Sequence, residues 1–255
     1  MRLRPLMLDV SILVIVFGPL TSVSLAEWHS DSGLHYGFSV PEGWMEIPKL
    51  ILDETFGPVA KRLGVKAPNF ETGFQVRSEH YLRYPYVLVQ HLPSDSATIR
   101  QIASGLSDLD NTKAVKTLRN SEVFHDLSFA KPTVDKFRKM ILYMTEINVQ
   151  GSGLVKVLNV VVPGRSGSVL LLFYSLDDDY VQHLPSFQFI IDSFKFEEGH
   201  EYNWAAAATK SWSFIWKGAG EKAIIGAVTG AIVGICVVPI VLLKRRGSRS
   251  SDSQT

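Results

Sequence analysis

Alternating and continuous runs of apolar residues predict a β-rich domain over the middle of the chain. Strand-like patterns occupy residues 34–40, 73–77, 86–92, 136–149, 154–162 and 168–176. Short glycine-containing loops separate the last three runs, which predicts an antiparallel meander. Residues 169–174 are apolar at every position, so this strand is expected to be buried on both faces of its sheet.

Helical periodicity appears in three segments that are expected to cover the sheet: 48–63, 96–109 and 177–194. Gly57 and Pro58 are expected to kink or split the first helix, and Pro185 to kink or break the third. The predicted inner face of the third helix consists of five apolar residues: Val181, Leu184, Phe187, Ile191 and Phe194. Residues 194–197 are predicted to return as a short edge strand. The predicted class is α+β, a three-layer α/β/α sandwich around a mainly antiparallel sheet.

One further apolar run is too long and too uniform for this domain. Residues 223–243 carry no charged side chain, and as a helix they span about 30 Å, the thickness of a hydrocarbon core. Lys222 alone precedes the run, whereas Lys244, Arg245 and Arg246 follow it. Because basic residues stay on the cytoplasmic side, we predict one transmembrane helix over 222–244 and a short basic cytoplasmic tail over 245–255.

The first 26 residues have the pattern of a secretory signal peptide. Arg2 and Arg4 form its basic start, residues 10–17 its apolar stretch, and Ser24 and Ala26 the small residues before a cleavage site. An uncleaved first transmembrane helix is the alternative, although the apolar stretch is short for one. Residues 27–199 are then an extracytoplasmic domain, expected outside a bacterial-type cell membrane.

Residues 200–221 form a juxtamembrane segment of different character. Trp204, Trp212 and Trp216 fall on one stripe of a helix, and Trp is favoured where a membrane meets water. We expect this stripe to lie on the outer membrane surface, which makes membrane lipid a predicted partner. Packing of the same helix against the domain is the alternative. A glycine hinge at 218–220 follows.

Three glycines repeat every fourth residue inside the predicted transmembrane helix: Gly226, Gly230 and Gly234. On a helix they form a flat groove that lets two backbones approach closely, so the helix is predicted to form a homodimer or to dock on another protein's helix. The alternative is that glycine is simply common in transmembrane helices. A membrane association assay that compares the wild type with Gly230→Ile decides between these interpretations.

Composition excludes several classes of chemistry. The net charge of +1 gives no electrostatic case for nucleic acid, and the single cysteine, Cys236, lies inside the transmembrane run. The seven histidines show no ligand spacing, and Asp177, Asp178 and Asp179 suit a helix start better than a metal site. Ser128 and Lys131 match a Ser-x-x-Lys motif, but Pro132 follows at once. We therefore predict no catalytic, cofactor-binding or metal-binding residues.

Residues 37–44, with the sequence Gly-Phe-Ser-Val-Pro-Glu-Gly-Trp, resemble the PsbP-like superfamily, as do residues 169–174 followed by 187–196. The likeness covers about residues 30–197. It implies an α/β/α sandwich around an antiparallel sheet, and a role in binding or assembly. No catalytic motif accompanies the fold, so the resemblance supplies no site residue.

These features predict a single-pass, membrane-anchored, extracytoplasmic binding or assembly module that is not an enzyme. Its expected partner is a protein of the envelope or membrane. Two alternatives remain open at the level of sequence. One is an envelope enzyme of hydrolase type with an unrecognised site, and the other is a small-ligand sensor that acts through a partner.

Overall fold

The computed structural model describes residues 26–62, 67–93, 103, 115, 124–149 and 151–202. Eleven strands and two helices lie within these ranges. The strands are β1 (Glu27–Asp31), β2 (Tyr36–Val40), β3 (Trp44–Glu46), β4 (Phe70–Val76), β5 (Tyr86–Pro93), β6 (Phe124–Phe129), β7 (Thr133–Asp135), β8 (Met140–Val149), β9 (Gly153–Gly164), β10 (Gly167–Leu176) and β11 (Lys195–Phe196). The helices are α1 (Lys49–Arg62) and α2 (Asp177–Ser193).

Two antiparallel sheets organise the described residues. The larger has the order β3-β4-β5-β10-β9-β8-β6, with β7 paired to β8, and the smaller has the order β1-β2-β11. The predicted meander is confirmed, since β8, β9 and β10 are consecutive neighbours. Gly151 and Gly153 have φ angles of 83° and 88°, which only glycine adopts without strain, and they make the tight turn between β8 and β9.

Strand β10 lies in the middle of the larger sheet and is buried on both faces, as its composition predicts. Leu170, Leu172 and Tyr174 point into one hydrophobic core. The alternate residues Val169, Leu171 and Phe173 point into a second core on the other face. Helix α1 contributes to the first core and α2 to the second, so the expectation of helices on both faces is confirmed. The α+β class is therefore correct for the described residues.

The small sheet shares the second core with α2, and sequence analysis did not predict it. Its construction explains part of the 37–44 motif. Gly37 lies under the ring of Trp28, and a Cβ atom there would stand 2.9 Å from the carbonyl oxygen of His29. Gly43 has a φ of 78° in the turn that leads to the buried Trp44. Both glycines are thus required by backbone geometry.

Helix α1 buries Leu52, Phe56 and Val59, as its periodicity predicts. Gly57 and Pro58 were expected to kink or split this helix, and a split is wrong, because α1 runs through Pro58 to Arg62 without interruption. A proline removes one backbone N–H, and burial of this helix on the sheet outweighs that loss. The predicted last turn at Leu63 lies outside the described residues.

Helix α2 differs from its prediction in two respects. It runs unbroken through Pro185, and its inner face is formed by Phe187, Ile190 and Ile191. Val181 is 77% exposed and Leu184 37% exposed, so placing them on the inner face was wrong. The six residues from Val181 to Phe187 turn the helix by about 600°, which is about 120° short of two full turns. Val181 therefore lies about 120° around the helix from the buried Phe187 and faces away from the core. The edge strand after α2 is confirmed as β11.

Several predicted segments lie outside the described residues. They are the signal peptide, all of the 96–109 helix except Ala103, the juxtamembrane segment beyond Tyr202, the transmembrane helix and the tail. Ala103 packs against the core beneath α1. In the part of the chain that the structure describes, no helix is both long and apolar enough to cross a membrane.

Candidate binding surface

The outer face of α2 carries apolar side chains that the fold does not bury. Val181 is 77% exposed and Phe189 is 42% exposed, and Leu184 lies beside them at 37%. Val181, Pro185 and Phe189 follow one another at four-residue steps, so they lie in one line along the helix. We call Val181, Leu184, Pro185 and Phe189 the α2 stripe.

Acidic residues mark the N-terminal end of the α2 stripe. Asp178 and Asp179 are exposed, and they share the first turn of α2 with Asp177, where negative charge meets the positive end of the helix dipole. Lys156 of β9 forms an ion pair with Asp177 and lies 5.6 Å from the ring centroid of Tyr180. The hydrogen bond with Asp177 raises the pKa of Lys156. The contact fixes the start of α2 against the sheet and leaves Asp178 and Asp179 facing solvent.

The other end of the stripe meets the turn between β7 and β8, residues 136–139. The carboxylate of Asp135 accepts the backbone N–H groups of Phe137 and Arg138, both at 2.9 Å. The guanidinium of Arg138 donates to Asp135 at 2.9 Å and to Asp192 of α2 at 2.7 Å. These bonds, led by the backbone N–H of Arg138, hold the pKa of Asp135 below its usual range. The turn is thus tied to the end of α2.

Phe137 stands at the outermost point of this turn and is 90% exposed. Lys136 and Lys139 beside it are exposed, and neither forms an ion pair with any residue in the described ranges. The charge of Arg138, by contrast, faces both Asp135 and Asp192. We call residues 136–139 the basic turn. Sequence analysis missed it, because residues 136–139 were included in a predicted strand.

A histidine pair lies near the C-terminal end of the described residues. The rings of His35 and His200 are stacked, with centroids 3.7 Å apart, and Nδ1 of His35 lies 2.7 Å from Oε2 of Glu197. His35 adopts a φ of 58° in the turn before β2. The two histidines are 165 positions apart in the sequence, so no local pattern indicates the pair.

Ser128 and Arg165 both occupy positions that the fold explains. Ser128 lies in strand β6, whereas the Ser-x-x-Lys chemistry requires a helix start. Arg165 stands in the turn between β9 and β10, where its backbone N–H donates to the carbonyl of His200 at 2.9 Å. No group of three or more His, Cys, Asp or Glu side chains is arranged to hold a metal ion within the described ranges. The membrane-interface residues Trp204, Trp212 and Trp216 and the helix-association residues Gly226, Gly230 and Gly234 lie outside those ranges.

Together the fold and this surface define an α+β domain with an antiparallel sheet covered on both faces and an exposed apolar helix face. The solved structures that match it include cyanobacterial PsbP (CyanoP) from Synechocystis, with 17% identity and a TM-score of 0.41. Two others are the Ran-binding protein Mog1p of Saccharomyces cerevisiae, with 10% identity and a TM-score of 0.37, and LpqN of Mycobacterium tuberculosis, which is involved in cell envelope biogenesis, with 15% identity and a TM-score of 0.33.

The matches cover 71%, 68% and 69% of this chain, and 98%, 96% and 87% of the respective solved chains. One of the three solved chains is a PsbP protein. All three TM-scores lie below 0.5, so the matches carry no inference about activity or partners. No protein-family model and no curated protein matches the chain.

Proposed function

We propose that the chain is a single-pass, membrane-anchored, extracytoplasmic module that binds another protein through the α2 stripe and performs no catalysis. The observation that supports this proposal is the division of α2 into two apolar faces. Phe187, Ile190 and Ile191 are buried against the sheet, while Val181 and Phe189 remain in water on the opposite side.

An isolated exposed apolar residue needs no explanation, because much of any protein surface is apolar. The α2 stripe is different, because its members are aligned on one rigid helix. Aligned apolar residues at four-residue spacing are the way one helix presents a contact face to another. Burying such side chains at an interface gains about 25 cal/mol per Å² of apolar surface removed from water.

Charge specifies the partner further. Asp178 and Asp179 are exposed at one end of the stripe without an ion pair among the described residues. A partner that covers Val181 therefore brings its own side chains next to two carboxylates, and cations there lower the cost of association. The occupant we propose is an amphipathic helix of an envelope or membrane protein, with Lys or Arg beside its apolar face.

The proposed anchor is the apolar run at 223–243. The predicted Trp-rich segment connects it to the domain, and the basic residues after it favour a cytoplasmic tail. This arrangement places the α2 stripe outside the cell, where it meets envelope components. The anchor needs its own test, which is resistance of the full-length protein to extraction from membranes by alkaline carbonate.

Site-specific photo-crosslinking in intact membranes tests the binding proposal. A photoreactive residue is placed at Val181 or Phe189 of the full-length protein, and at Leu50 of α1 as a control. Leu50 is 65% exposed, and the residues one turn further along the same helix face are the charged Asp53 and Glu54. We expect a discrete adduct from positions 181 and 189 and none from position 50. Mass spectrometry should map the partner peptide to a basic amphipathic helix.

The double variant Asp178→Lys/Asp179→Lys sharpens the test. Reversing two exposed charges leaves the fold intact, and it should weaken the adduct from position 181 several-fold. Equal crosslinking from positions 50 and 181 would contradict the proposal, and so would indifference to the charge reversal. An adduct of the chain with itself would replace the proposed partner by a second copy.

A further inference from the structure

The basic turn carries an exposed aromatic ring, Phe137, on a backbone that is held by hydrogen bonds. Phe137 is 90% exposed, yet the backbone around it is held by two hydrogen bonds to Asp135. Arg138 ties the same turn to Asp192 on α2 at 2.7 Å. Because the backbone of the turn is held in this way, it loses little conformational freedom when the ring of Phe137 enters an apolar environment, which favours insertion of the ring.

The charges of the turn suit a phosphate-bearing surface. Asp135 and Asp192 both engage Arg138, so its charge is largely neutralised within the fold. Lys136 and Lys139 flank Phe137, are exposed, and have no ion pair within the described part of the chain. An aromatic ring between two free lysines combines apolar insertion with attraction to anionic headgroups.

The strand register shows that the basic turn lies close to Glu201, near the C-terminal end of the described residues. Gly164 of β9 pairs with Gly167 of β10 on one edge and with Glu201 on the other. That second edge is the one along which β8 runs, with Ile141 opposite Val161. Glu201 therefore lies about 7 Å beyond the row of Met140, where β8 begins and the basic turn ends.

The described part of the chain thus ends beside the basic turn. The residues that follow Tyr202 include Trp204, Trp212 and Trp216, whose stripe is predicted to lie flat on the membrane surface. A segment that lies flat holds its point of departure close to the lipid. Asp178, by contrast, lies at the opposite end of the domain, because α2 begins where β10 ends. The ten residues of β10 span about 30 Å between that end and the end with the basic turn.

We propose that the basic turn is a second membrane contact, in which Phe137 enters the lipid interface and Lys136 and Lys139 bind anionic headgroup phosphates. This inference rests on the proposed membrane anchor and adds the orientation of the domain. The end with Phe137 faces the bilayer, α2 stands away from it, and the acidic end of α2 points outward toward the partner.

A single environment-sensitive label tests this orientation. Cys236 is the only cysteine, so Cys236→Ala provides a background in which Phe137→Cys can be labelled alone with a nitrobenzoxadiazole dye. Asp178→Cys in the same background is the matched control at the far end. The full-length proteins are reconstituted into phosphatidylcholine vesicles with and without roughly 30% phosphatidylglycerol, because an anionic surface attracts basic side chains.

With phosphatidylglycerol we expect blue-shifted emission and quenching by spin-labelled lipid at position 137, and neither at position 178. Lys136→Glu/Lys139→Glu should reduce the quenching at position 137 several-fold, as should high salt, which screens headgroup attraction. The control Arg77→Glu changes charge at the far end, beside Gly43, and should have no effect.

Four outcomes would overturn the proposal. They are equal emission at positions 137 and 178, lipid quenching at position 178 alone, indifference to the lysine substitutions, and shielding of position 137 in native membranes but not in vesicles. The last outcome would identify a protein as the occupant. Carbonate extraction of the full-length chain separates the failures. An extracted chain disproves the anchor and this inference together, whereas a resistant chain with a water-exposed label at 137 disproves only this inference.

Discussion

Helices α1 and α2 cover opposite faces of one sheet, yet their outer faces differ. On α1 the large exposed apolar residue is Leu50, and the line from Leu50 to the exposed Pro58 is interrupted by the charged Glu54. Lys49 and Asp53 beside Leu50 form an ion pair at 2.7 Å. On α2 the outer face carries Val181, Pro185 and Phe189 in one line. Both helices bury an aromatic residue against the sheet, Phe56 in α1 and Phe187 in α2, so the two inner faces stabilise the fold in the same way.

The difference shows which residues folding requires. A helix on a sheet needs one apolar face, and a second apolar face adds nothing to the stability of the domain in water. The outer face of α1 obeys this rule and that of α2 does not. Under the proposed function, the exposed residues of α2 contact a partner.

The largest effect should come from the inner faces. Phe187 is fully buried against the rings of Phe173, Trp44 and Tyr180, and Phe56 packs edge-on to Phe70 at 4.8 Å. Replacing either by alanine leaves a cavity, which costs about 3–5 kcal/mol in such sites. We expect Phe187→Ala to be at the upper end of this range, because it removes more ring contacts.

Urea denaturation of the full-length protein in micelles, followed by circular dichroism, measures this loss. Phe187→Leu is the conservative control and should recover most of the stability, since it keeps the site apolar and nearly filled. A change below about 1 kcal/mol for Phe187→Ala would mean that α2 is not packed on the sheet as described, and the comparison of the two helices would fail.

Much of this fold could be predicted because local patterns decide it. The apolar run of β10 required cover on both faces, and the glycine loops fixed the meander. The small sheet could not be predicted in this way. It depends on Trp28 lying over Gly37 and on Lys195 pairing with Gly37, and Lys195 is 158 positions away from Gly37 in the sequence.

Sequence analysis missed the candidate binding surface for two different reasons. Val181 and Leu184 were assigned to the core because they are apolar, although helix geometry places Val181 about 120° from Phe187. The basic turn was absorbed into a strand, although Asp135 before Lys136 is a local signal for a turn held by an aspartate side chain. A stricter use of helical angle and turn chemistry would have found both.

A smaller effect should appear with pH on the α2 side of the sheet. His29 is half-buried between the rings of Phe38 and Phe74, and burial lowers its pKa below the ordinary value of 6.5. The unfolded chain then binds a proton more readily than the folded protein does. The stabilising contribution of neutral His29 is therefore complete above pH 6.5 and is lost as the pH falls through 6.5 toward the lowered pKa.

Thermal unfolding of the full-length protein at pH 7.5 and pH 5.5 checks this expectation. The fall in Tm between the two conditions should be smaller in His29→Leu, which packs against the same rings and cannot be protonated. An equal fall in Tm in His29→Leu and the wild type would rule out His29 as the source.

The smallest effect on stability should come from the outer faces, and it separates folding from binding most sharply. Val181→Ser and Leu50→Ser each replace an exposed apolar side chain, so each should change the free energy of unfolding by less than about 0.5 kcal/mol. Their effects on the partner should differ. Val181 lies within the aligned stripe, where truncation of a contact residue removes apolar area and typically weakens binding by about 1 kcal/mol or more, whereas Leu50 lies on the opposite helix. Crosslinking from position 189 should therefore fall about five-fold or more in Val181→Ser and stay unchanged in Leu50→Ser. If Val181→Ser instead destabilised the domain as strongly as a core substitution, its side chain would belong to the fold, and the contrast between the outer faces of α1 and α2 would disappear.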